Sequence, residues 1–307
     1  MNAATGPYER RRRLLLVLMG LPALAYVIVV ALWPIAQGLY YSFFAFNLAR
    51  PARAAFVGID NYLELVRDAS TRRAVVNTLV FTVCAVSVEL VLGMGVALLL
   101  WADNMFNRVC LAIVLIPVTI TPLAVALIFR ALLEPDFGVL GHAARLLGLA
   151  PVSGFLASEQ WALATLVAID IWQWTPLMAL ILLAGLKSLP VEVLEAAEID
   201  GAGRWRKFSR VILPMMGAPV LLALIMRTMD AFKVYDSVLA TTGGGPNDAT
   251  NVLMYHAAKL GLEFFEIGAS SAVSSFMLLC IAAMACVFIY LMHREELRAG
   301  TRQGAAS

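Results

Sequence analysis

The chain has 307 residues, 61% of them hydrophobic and 14% charged, with a formal net charge of +2. Soluble domains carry about 25% charged residues, so this composition excludes a soluble globular protein and implies an integral membrane one; so small a net charge also argues against a nucleic-acid partner. The four cysteines (Cys84, Cys110, Cys280, Cys286) and three histidines (His142, His256, His293) show no metal-site or disulfide spacing, so no metal is expected and the cysteines read as small packing residues.

Arg10 to Arg13 precede an apolar run from Leu14 to about Tyr40. The run is too long for a signal peptide and has no A-x-A cleavage pattern followed by polar sequence, so a retained first span is expected. A span needs about 20 mostly apolar residues. Six segments qualify, at roughly 14–38, 75–101, 109–133, 161–186, 210–232 and 269–292. They divide the chain into an N-terminal tail (1–13), a membrane domain (14–292) and a C-terminal tail (293–307). Lys and Arg in the flanks number thirteen on the N-terminal side of the membrane and eight on the other. With the N-terminal four dominating, both termini are expected inside, which puts the 187–209 loop in the cytoplasm.

That loop is polar in an otherwise lipid-suited chain. Leu189-Pro190 ends the fourth span, and Val191 to Ile199 reads as one short helix. Val191, Leu194 and Ala197 share one face, and Glu192, Glu195 and Glu198 share another. Asp200-Gly201 ends it. An interfacial connector would have these features too, but membrane-surface helices are usually basic, and an acidic, small-residue face suits docking in a protein groove.

Polar residues inside or at the ends of spans face the bundle or a wet cavity. Asn77, Glu89, Asp170, Gln173, Arg227, Asp230 and Tyr235 are the candidates for a substrate pathway, with Trp172 and Trp174 as ring partners or interface anchors. Each could instead be an inter-helix bond, and Arg227 could simply pair with Asp230 three residues on. Gly243-Gly244-Gly245-Pro246 forms a tight external turn, a docking surface or a plain connector; no G-x-x-x-x-G-K-[ST] exists to make it a phosphate loop.

Glu195-Ala196-Ala197, then Asp200-Gly201-Ala202, Phe208 and Ile212-x-Pro214, resembles the "EAA" loop of permeases in binding-protein-dependent ATP-binding-cassette importers. Phe56 to Tyr62, Phe137-Gly138 with Gly148, and the Thr241 to Pro246 loop resemble the carbohydrate-uptake branch, of maltose/trehalose type. The resemblance covers about 14–292. It implies an all-α membrane protein of the type I importer permease fold, six spans and a cytoplasmic coupling helix, in the bacterial plasma membrane. It implies that Glu195 contacts an ATPase, that Ala196 and Ala197 allow close approach, that Gly201 turns the chain and that Pro214 starts span five. It also implies a second, different permease, two ATPases that use ATP-Mg, and an extracytoplasmic binding protein delivering a sugar, with no cofactor on this chain. A polyol or glycerol-phosphate permease is the alternative. A lipid-acting membrane enzyme using Glu89, Asp170 and His256 is a further one, and it requires three groups from separate places to converge.

Overall fold

The computed structural model describes residues 7–149, 151 and 153–304. Residues 1–6 and 305–307 of the two expected tails lie outside the described residues. The chain divides into two compact units, one of residues 1–65 with 257–276 and one of 66–256 with 277–307.

In the first unit, α1 (Pro7–Val27) and α2 (Trp33–Tyr41) are joined by a π-helical turn, Ile28–Leu32. Pro34 explains the turn: a proline lacks an N–H and crowds the carbonyl four residues back, which loosens the ladder there. A short hairpin follows, β1 (Phe44–Ala45) with β2 (Ala55–Phe56), antiparallel with Phe44 opposite Phe56. Next comes α3 (Asp60–Arg67). Asn61 holds the hairpin to this helix by donating to the carbonyls of Ser42 and Phe44 at 2.8 and 3.0 Å, and the buried Ser42 hydroxyl meets the Tyr62 hydroxyl at 2.7 Å. The Phe56 to Tyr62 motif is therefore a strand, a turn and a helix start.

The second unit is built on α4 (Ala69–Leu99). Asp68 caps it, accepting from the Thr71 N–H at 2.6 Å. Asn104 caps α5 (Met105–Val114) in the same way. Pro117 and Pro122 then interrupt the expected third span: a 3₁₀ turn, Ile116–Thr119, and an extended Ile120 separate α5 from α6 (Pro122–Leu132). The break frees the Ile120 carbonyl, and Gln173 donates to it at 3.0 Å. After α7 (Val139–Leu146) comes α8 (Ala162–Lys187), which packs along α4 more extensively than any other helix pair. Phe81 of α4 and Leu166, Met178, Leu182 and Leu186 of α8 are fully buried in one hydrophobic core.

The polar loop forms α9 (Val191–Ile199) and α10 (Arg204–Lys207). A second π-helical turn, Phe208–Ile212, again precedes a proline, Pro214, in α11 (Leu213–Met215). The chain then bends by 67° into α12 (Gly217–Ala231). The bend thus falls two residues past Pro214, where a straight fifth span was expected to begin. The segment after α12 holds α13 (Asp236–Thr241) and α14 (Leu253–Ala258). The last helix, α15 (Ile267–Gly304), continues past residue 292 through the described part of the expected tail.

Four described helical stretches are long and apolar enough to cross a membrane: Leu18–Tyr41, Ala69–Leu99, Ala162–Lys187 and Ile267–Arg294. The bent pair makes a fifth if it is one span, and six is reached only by counting the broken α5–α6 pair as well. The cysteines are not core residues. Cys84 and Cys286 are exposed, and Cys110 and Cys280 are half-buried. In lipid, apolar groups have no solvent reason to turn inward, so a small thiol on an outer face costs little.

Candidate functional site

Three side chains from three helices meet on Arg227. From α12, its guanidinium donates through Nε to Glu89 Oε2 at 2.7 Å and through Nη2 to Glu89 Oε1 at 2.8 Å, a bidentate pair with α4. Nη2 also donates to Asp170 Oδ2 on α8 at 2.8 Å, and Nη1 to Asp230 Oδ2 at 2.8 Å. The Trp174 ring lies 4.9 Å from the guanidinium carbon. Glu89, Asp170 and Arg227 are buried, and only the Asp230 side chain, at 53% exposure, reaches outward. A charge in this setting is tolerable only when paired and hydrogen-bonded.

A cavity of about 210 Å³ opens beside the cluster, lined by Asp170, Trp174, Asp230, Lys233, Tyr235 and Asp236 among others. Of the seven pathway candidates, Asp170, Asp230 and Tyr235 reach this wall. Glu89 and Arg227 stand behind it, Gln173 serves the Ile120 carbonyl, and Asn77 lies elsewhere. Arg227 and Asp230 do pair, as the spacing allows, but as part of a larger cluster. Lys233 and Asp236 also line the wall; they lie just past the apolar run, so polarity within a span does not pick them out. Glu89 and Asp170, read as lying in separate spans, meet on Arg227. His256 does not join them: its Nε2 lies 2.9 Å from the Thr71 hydroxyl and its Nδ1 3.2 Å from Asn251. The acid–base trio of a lipid-acting enzyme is therefore not assembled.

The glycine-rich turn has Gly243 and Gly244 at φ of 58° and 81°, backbone that favours glycine over any side chain. The segment after it is fastened to the start of α4. Asn77 donates to the carbonyls of Asp248 and Asn251, both at 2.9 Å. Ser70 donates to Asp248 Oδ2 at 2.8 Å, and Arg73 to the Asn247 carbonyl at 2.8 Å. Asn247 also donates to Glu159. Ser70, Arg73 and Asn77 stand at i, i+3 and i+7, a polar stripe on α4. A second, larger cavity of about 620 Å³ lies next to the turn, with Arg130, Glu134, Arg145, Thr241, Gly245 and Pro246 in its wall.

In the polar loop, Gly201 at φ 71° lets the chain reverse. Its N–H donates to the Glu198 carbonyl at 3.0 Å, and the Ala202 N–H to the Ala197 carbonyl at 3.0 Å, the double bond of a Schellman cap. Lys207 Nζ reaches Glu198 at 2.6 Å, tying α9 to the helix that follows. Leu194 and Ala197 turn inward, whereas Val191, Glu192, Glu195, Ala196, Ile199, Asp200 and Gly201 are exposed. Val191, Glu195 and Ile199, at i, i+4 and i+8, form an outward stripe of two apolar residues flanking a carboxylate, with consecutive members about 40° apart around the axis.

The family model of the binding-protein-dependent transport system inner membrane component matches residues 89–294. The trehalose transport system permease protein SugA of Mycobacterium tuberculosis is 34% identical over 94% of this chain and 91% of its own length. The sulfoquinovosyl glycerol transport system permease protein SmoG of Agrobacterium fabrum is 30% identical over 92% of each. A chain of a bacterial ABC transporter involved in the import of the acidic polysaccharide alginate superposes with a TM-score of 0.79 at 21% identity, over 94% of this chain and 97% of that one. The matched region takes in both the Arg227 cluster and the polar loop, and the chain belongs to the family of inner membrane components of binding-protein-dependent transport systems.

Proposed function

We propose that this chain is one of two different permease subunits of an ATP-driven importer that carries a sugar delivered by an extracytoplasmic binding protein. The observation that carries the reading is α9: a short, capped helix, exposed on its Val191–Glu195–Ile199 stripe and joined through Lys207 to the bent helix pair. Such a helix suits a groove in a cytoplasmic ATPase. Two ATPase subunits supply the energy with ATP-Mg, and this chain binds no cofactor. Both termini then lie in the cytoplasm of a bacterial cell, and the Gly243 to Pro246 turn faces the binding protein. Closure of the ATPases on ATP acts differently on the two states of the pathway, which is the condition for driving one into the other. The sugar class is supported by the SugA and SmoG relatives.

The test is reconstitution of the chain with the ATPase, second permease and binding protein encoded beside it, reading sugar uptake and ATP hydrolysis. Glu195→Lys reverses the charge of the docking stripe, and Gly201→Asp forces a side chain into left-handed backbone. Both are expected to insert normally and to lose uptake by more than about tenfold, the factor that 1.4 kcal/mol of lost coupling represents. Normal uptake in either variant overturns the assignment of α9.

A further inference from the structure

The wall of the 210 Å³ cavity carries an unbalanced charge. Asp170, Asp230 and Asp236 face one cation, Lys233. Arg227, the obvious partner for an anionic solute, is not in the wall, and four of its hydrogen bonds are already given to Glu89, Asp170 and Asp230. Arg227 carries one positive charge and Glu89, its bidentate partner, already balances it, so even with Asp170 left out the exposed Asp230 and Asp236 outnumber Lys233 in charge. The remaining wall is aromatic, Trp174 and Tyr235, which suits the apolar faces of a sugar ring, while carboxylates accept from its hydroxyls.

We propose that this cavity selects uncharged sugars and rejects anionic ones, with Asp230 and Asp236 as the residues that set the charge preference. The proposal rests on the importer reading and adds the substrate's charge to it. It separates this chain from permeases for phosphorylated, sulfonated or uronate sugars. Discrimination here comes from repulsion: a carboxylate or phosphate entering would meet like charge in a confined space and find no free guanidinium. A neutral sugar offers the donors that the two carboxylates lack.

The test uses the full chain with its partner permease and ATPases in nanodiscs, without binding protein, so that only the permease selects. The probes are trehalose and the derivative in which one C6 hydroxymethyl is oxidised to a carboxylate. Binding is read by saturation-transfer NMR at low salt. Trehalose is expected to give signal and the carboxylate derivative at least about tenfold less, with the gap narrowing as salt screens the wall. The double substitution Asp230→Asn with Asp236→Asn is expected to raise binding of the derivative toward that of trehalose. Equal binding of both probes to the native protein, a gap that ignores salt, or a double variant that leaves the gap intact overturns the proposal. Sugar uptake from loaded binding protein is measured in parallel. Uptake without NMR binding of either probe overturns the cavity proposal and leaves the importer reading standing; absence of uptake of any sugar removes the importer reading itself.

Discussion

Arg227 shows how a single side chain in a membrane protein can organise a bundle. Removing it leaves Glu89 and Asp170 buried side by side with no cation, and breaking such a buried set costs about 3–5 kcal/mol. Arg227→Met is therefore expected to lower the thermal midpoint of the detergent-solubilised protein sharply. Adding Glu89→Met should recover part of the loss, so the two substitutions combined cost less than their sum in a double-mutant cycle. Strict additivity would show that the pair is not coupled. Asp68 is a milder case at the water-exposed start of α4. Burial pushes its carboxyl up, but the Thr71 N–H and hydroxyl outweigh this and hold it below the ordinary carboxylate value of 3.8. A depressed value means stabilisation that is complete above 3.8 and drains away as pH falls through the folded-state value. Asp68→Ala is expected to cost about 1 kcal/mol near neutral pH and to flatten the acid side of a stability–pH curve. Unchanged acid sensitivity in the variant would assign it to other carboxylates. The residues of the cluster could be picked from the sequence as polar groups inside apolar runs, but their meeting could not. Arg227 lies 138 positions from Glu89 and 57 from Asp170, and only the packing of α4, α8 and α12 sets which partners it takes.

At the scale of elements, α9 was the most legible part of the chain. Its cap needs only a local sequence, glycine two places past the last helical residue, and its polarity stands out against apolar neighbours. The third span was the least legible. Pro117 and Pro122 were visible, yet hydropathy averages over both and reports one continuous run, whereas each proline forces a local break. The fastening of the segment after the glycine-rich turn was hidden for the same reason as the ion cluster: Asn77 and Asp248 are 171 residues apart. Asn77→Ala removes a donor from two carbonyls, at about 1 kcal/mol each. The expected outcome is faster hydrogen exchange confined to residues 247–252 and weaker stimulation of ATP hydrolysis by the binding protein, with insertion unchanged. If exchange in that segment stays slow, the Ser70 and Arg73 bonds suffice to hold it.

For the whole molecule, sidedness is the quantity that ties these parts together. Single cysteines placed at Glu195 and at Ala249, in a chain whose four native cysteines are replaced, should label oppositely with a membrane-impermeant maleimide. The Ala249 site is expected to react in intact spheroplasts and the Glu195 site only after lysis; the reverse pattern would turn the protein over and detach α9 from any cytoplasmic motor. One feature of the main chain then acquires a mechanical meaning. The helix arriving from the polar loop and the helix bearing Arg227 meet at 67°, which is the arrangement of a bell crank. On the proposed role of α9, a push delivered along the first arm would emerge from the second in a new direction, and because the second arm is riveted to two neighbours through one guanidinium, what turned at the elbow would be the bundle and not a lone helix.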